Sequence, residues 1–159
     1  MREHDLYEAS FGSNDQKFND GKVKYVAEKR AFTLVSKVSD KLFVVVLVYL
    51  DGRVLMSTTN NPNAYDVILG SIDQLMNPSN INKAYQYYDV VTDMIKTIVE
   101  KFYSRFNSLK FVAVSSADLN KLERYLKKPE VMHFLEIKRF EYVEHKKQKD
   151  VNLVVFQKQ

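Results

Sequence analysis

LFVVVLVYL, residues 42–50, followed at once by Asp51-Gly52, is the stretch that decides the fold. It holds no charged or amide side chain, so it reads as a central strand covered on both faces. It is far shorter than the roughly 20 apolar residues a membrane-spanning helix needs. Asp-Gly is the dipeptide of a two-residue hairpin turn, and 53–59 is expected to return antiparallel. Upstream, 31–38 is rich in β-formers. Before it Val23, Tyr25 and Ala27 alternate with Lys22, Lys24 and Glu28, the pattern of a half-buried strand. The N-terminal half is therefore a strand meander.

Beyond it the period changes. After a loop at 59–63, Tyr65, Ile68, Leu69, Ile72, Leu75 and Met76 predict a helix over 64–76 with Asn63 as its N-cap. The stretch 77–80 breaks the chain. A long helix over 82–106 follows, with Ala84, Tyr87, Tyr88, Val91, Ile95, Ile98, Val99, Phe102 and Phe106 on one face and Asp89, Asp93 and Glu100 on the other. A stripe that wide faces a sheet. Residues 110–114 predict a buried strand. Ser115-Ser116 supplies an N-cap, and Asp118 suits the positive end of a helix that carries Leu119, Leu122, Tyr125 and Leu126 and stops before Pro129. A short helical piece over 130–136 and a hairpin, 140–144 with 151–156 around a basic turn at 146–150, close the chain. The expected class is α/β of the α+β kind, with a mostly antiparallel central sheet, a long packed helix and a C-terminal hairpin. Residues 1–21 read as an irregular lead, and 22–159 as a single domain.

Composition limits function. Cysteine is absent, which removes disulfides, thiolate nucleophiles and thiolate metal ligands. The first residues carry acids and no apolar block, so neither a signal peptide nor a membrane segment is expected, and the expected location is cytoplasmic. The formal charge is +4; residues 107–159 hold 11 Lys and Arg against 7 Asp and Glu, so the excess lies there. That basic third could attract phosphates or acidic partners. Partner-binding candidates are Lys121, Arg124, Lys127, Lys128, Lys146 and Lys147. Much Asn, Lys, Tyr and Phe with little Gly, Pro and no Trp is usage common in AT-rich genomes, bacteriophages among them. His4, His133 and His145 are scattered, and Asp89 and Asp93 lie on a polar helix face, so no metal site is expected. No glycine-rich phosphate motif occurs.

The order of elements resembles an acetyltransferase domain of the GNAT type, from about residue 22 to residue 158. AYQYYDVV at 84–91, leading to Phe102, is similar to that family's main cofactor-side helix, and LKFVAVS at 109–115 resembles its fifth strand. The resemblance implies a cofactor, acetyl-CoA, an Asn at 120 that orients it, and Tyr125 as general acid. The family's phosphate-binding turn would fall at 77–82, where this chain has Pro78 and no glycine. Proline lacks an N–H, and side chains with Cβ atoms limit close backbone approach to a phosphate. The expectation is therefore a non-catalytic interaction protein on a GNAT-like scaffold, viral or mobile-element encoded, without acetyl-CoA and with a host or viral protein partner. An N-acetyltransferase with an atypical loop, or a nucleic-acid-associated protein using the basic third, are the alternatives.

Overall fold

The computed structural model describes residues 22–159; the lead expected at 1–21 lies outside the described residues. The sheet has seven strands: β1 (Lys24–Val26), β2 (Ala31–Ser39), β3 (Leu42–Tyr49), β4 (Arg53–Thr59), β5 (Ser108–Ala113), β6 (Phe140–Gln148) and β7 (Val151–Lys158). Their order is β1-β2-β3-β4-β5-β7-β6. All neighbours are antiparallel except β4 and β5. The meander is as expected, because tight turns can only join antiparallel neighbours. The closing hairpin forms, but the turn expected at 146–150 shrinks to Lys149-Asp150: the ladder runs on to Gln148 opposite Val151, so Lys146 and Lys147 are strand residues of β6.

At the first turn Gly52 has φ +98°, and the chain of β5 passes against it: the Lys110 N–H donates to the Gly52 carbonyl at 2.8 Å. A Cβ at position 52 would run into the Ser108 carbonyl. Glycine is required there by both conformation and space.

Among the described residues five α-helices pack with the sheet: α1 (Ala64–Leu69), α2 (Pro78–Ala84), α3 (Tyr88–Lys101), α4 (Ser116–Leu126) and α5 (Pro129–Ile137). Val44, Val46 and Val48 of β3 join Val91, Ile95, Ile98, Leu122 and Phe134 in one core. Phe43, Val45 and Leu47 point the other way and meet Ile68, Leu75 and Ile81 in a second core. The continuous apolar run thus feeds two cores, the physical meaning of a strand with no polar face.

Four sequence expectations need correction. The helix over 64–76 ends at Leu69 and resumes as a single 3₁₀ turn, Ile72–Gln74, after Gly70. Asn63 makes no side-chain cap. Asn77-Pro78 starts a helix rather than breaking the chain: the Asn77 side chain accepts from the Ser79 N–H, and Pro78 sits where its missing N–H is no loss. The long helix 82–106 is three pieces, with 3₁₀ turns at Tyr85–Tyr87 and Tyr103–Arg105. Tyr87 leaves helical geometry at φ −115°, ψ 42°, and Tyr88 is exposed rather than part of the buried stripe.

The break in that helix follows from the sheet. β4 and β5 pair over only two positions, Arg53 with Lys110 and Val54 with Phe111, and then part. The α2 segment runs along the opened edge of β4, whose Thr58 hydroxyl donates to the Asn80 carbonyl at 3.0 Å and whose Ser57 hydroxyl donates to the Leu75 carbonyl. Ile81 belongs to one core and Ala84 to the other, so α2 crosses between the faces of the sheet at this opening. A helix threading the opening and a helix lying on β2 and β3 cannot share an axis.

The phase of β1 also differs from expectation. Lys24 is buried, 2% exposed, with its ammonium 4.7 Å from the centre of the Tyr65 ring. Burial pulls its pKa down to about 7.

Candidate functional site

The crossing of α2 brings polar groups into the interior. Asn82 and Tyr85 come from its C-terminal end, Asp118 from the first turn of α4, and Tyr125 from the last. Among the described residues no partner reaches Asn82 Oδ1, the Tyr85 hydroxyl or Asp118 Oδ2, all shielded from solvent. The Tyr85 and Tyr125 rings lie 6.0 Å apart. Burial raises the pKa of both phenols; for Tyr85 the nearby Asp118 carboxylate adds to it, while for Tyr125 a hydrogen bond to Thr92 opposes it. Burial also raises the Asp118 pKa, against the pull of Ser115 and Lys121. Ser115 is the helix cap foreseen from sequence: its Oγ accepts from the Asp118 N–H at 3.1 Å.

Outside this polar interior a cavity of about 290 Å³ opens, lined by Asn82, Tyr85, Lys121, Arg124, Tyr125 and Lys128. Three of the basic candidates therefore converge, since 121, 124 and 128 share one side of α4 and its extension. Lys128 also sits over the Tyr88 ring, 3.9 Å from its centre.

The remaining candidates are elsewhere. Asn120 is exposed on α4 and does not line the cavity. Tyr125 is nearly buried, and its hydroxyl is 2.7 Å from the Thr92 Oγ1, which itself donates to the Tyr88 carbonyl at 2.6 Å. The Tyr125 phenol is thus held by a neighbouring hydroxyl at the wall of the cavity, with burial opposing its ionisation. Lys146 and Lys147 project from β6 into solvent.

Lys127 belongs to a different feature. A groove of about 660 Å³ runs between α4–α5 and the β6–β7 hairpin, with Leu126, Met132, Leu135, Phe140, Tyr142 and Phe156 among its walls. Met132, Ile137, Tyr142 and Val143 are 54%, 58%, 60% and 51% exposed on α5 and β6. Of these, Met132 and Tyr142 line the groove, and apolar side chains gathered in one open concavity are the unusual observation, where single exposed ones are ordinary. Sequence reasoning missed this groove, because its walls come from α4, α5, β6 and β7 and no local pattern brings them together.

Among the described residues no group of His, Asp and Glu could hold a metal ion, and no helix is long and apolar enough to cross a membrane. Comparison with protein-family models, with curated proteins and with solved structures finds no match.

Proposed function

We propose that this chain is a non-catalytic interaction protein on a GNAT-like α/β scaffold, which binds a protein partner through its C-terminal third. The observation that carries this reading is the open apolar groove between α4–α5 and the β6–β7 hairpin, edged by charges of both signs, Lys127 and Arg139 with Glu123, Glu136 and Glu141. Interfaces form around desolvated aromatic and aliphatic anchors with a charged rim, and Met132, Tyr142 and Phe156 supply the anchors. The order of meander, helix, strand, helices and hairpin is the order that the resemblance implies. The turn that the resemblance assigns to the phosphates is here the start of α2, with Asn77 as cap and Pro78 in the first turn, which supports a reading without acetyl-CoA.

A second reading has one observation in its favour. Lys121, Arg124 and Lys128 line one cavity, and three cationic side chains around a concavity suit an anionic ligand such as the phosphates of acetyl-CoA. Two experiments separate the readings. Affinity capture from the native host with the intact chain should retain a stoichiometric partner that Met132→Asp with Tyr142→Asp releases. Titration calorimetry with acetyl-CoA at millimolar concentration should give no saturable heat. One-to-one binding, with turnover lost in Tyr125→Phe, would replace the first reading by the second.

A further inference from the structure

Among the described residues strand β6 ends the sheet, and of its nine residues only Phe140 is buried. Its free edge is regular from Glu144 to Gln148, after an irregularity between Tyr142 and Glu144. The pair closing the two-residue turn, Gln148 with Val151, exchanges hydrogen bonds, and alternation then turns the backbone groups of Lys147 and His145 outward. An exposed edge of this kind is a template for another strand unless its side chains forbid pairing.

The charges along β6 are not uniform. Glu141 and Glu144 occupy its first half, and Lys146, Lys147 and the turn residue Lys149 its end. The complement of such a dipolar strand is a dipolar strand running the other way. An antiparallel copy of β6 is one.

We infer that β6 pairs with β6 of a second copy of this chain, antiparallel about a two-fold axis at His145, extending the sheet across the dimer. A two-fold axis normal to a sheet requires a residue to face its own copy, so the registers differ in steps of one axis position. An axis at Glu144 sets Glu144 against itself. An axis at Lys146 sets Lys146 against itself and His145 against Lys147. An axis at Val143 sets no Lys opposite a Glu. With the axis at His145, His145 faces its own copy and Glu144 faces the partner's Lys146 on both sides of the axis. Glu144 and Lys146 then form non-hydrogen-bonded pairs, where side chains approach closest. The lysines that protect an edge from indiscriminate pairing thus select one register. The irregularity at Val143 keeps the paired stretch short, and a short strand pair places the dimer at the weak end of the specific range.

Sedimentation velocity on the intact chain tests this, read over a concentration series into the tens of micromolar. The parent chain is expected to form a reversible dimer. Glu144→Lys and Lys146→Glu each turn facing opposite charges into like charges twice over, and should raise the dissociation constant by about tenfold or more. The double exchange, Glu144→Lys with Lys146→Glu, restores opposite charges and should recover the dimer. All these side chains are exposed, and circular dichroism checks that the variants fold. A parent chain that stays monomeric throughout the series overturns the inference, as does a dimer that both single reversals leave unchanged. Neither outcome depends on whether the apolar groove binds another protein.

Discussion

Single residues set two sharp tests. At Gly52 the turn conformation and the passage of β5 both exclude a side chain. Gly52→Ala should therefore destabilise the fold by roughly 2–4 kcal/mol, above the usual loss for a surface substitution; a midpoint within error of the parent in urea denaturation would contradict the close approach. Asp118 is buried with an oxygen that no described group reaches. Its folded pKa is raised, mainly by burial, so the folded state holds the proton more tightly than the unfolded one. That preference is fully present below the unfolded carboxylate pKa and is lost as pH rises through the folded value. Asp118→Asn should accordingly raise the melting temperature at pH 7, and the gain should shrink toward pH 3. A gain independent of pH would show that charge is not the cause. Asp118 lies four residues before Leu122 on the buried stripe of its helix, so its burial was readable from spacing; its capping position concealed it.

At the scale of elements, the packing of α3 decides whether the helix phase is right. Ile95 is buried in the core beneath the sheet face, and Asp93 faces solvent. Ile95→Asp places a carboxylate among apolar side chains and should destabilise by several kcal/mol, whereas Asp93→Ala should change stability by less than about 0.5 kcal/mol. Similar thermal shifts for the two would refute this orientation. The aromatic contacts at the far end of the helix explain why it stops where it does: Phe102 stacks on Phe32 of β2 at 4.1 Å, and Phe106 meets the same ring edge-on. Holding both rings needs the tight Tyr103–Arg105 turn, which ends α3 without a Pro or Gly.

For the molecule as a whole, charge and shape point to different partners. The net charge of +4 is modest, and the structure divides the basic side chains among a cavity, a groove wall and an exposed strand. Binding to a polyanion should therefore be weak and should fall steeply with salt, with charge reversal at Lys121, Arg124, Lys127 and Lys128 reducing it further. Fluorescence anisotropy with labelled single-stranded and duplex DNA at low and physiological salt measures this. Tight binding that persists at physiological salt would favour the nucleic-acid alternative over a packed protein interface.

What the sequence determined by itself is the set of elements whose signals are local. The apolar run at 42–50, the Asp51-Gly52 turn, the Ser115 cap and the closing hairpin each rest on a few adjacent residues, and their physics acts before the chain is compact. The tertiary structure decided the rest. A 3.6-residue period runs unbroken from Asn82 to Phe106, because each helical piece keeps its own apolar face; nothing in that pattern records that β4 and β5 part and that α2 must cross the gap. Lys24 reads as a solvent-facing lysine until α1 brings Tyr65 over it. The basic residues form one cluster by number and separate sites in space. The groove is walled by α4, α5 and the β6–β7 hairpin together, a relation between separate elements and therefore absent from any local pattern.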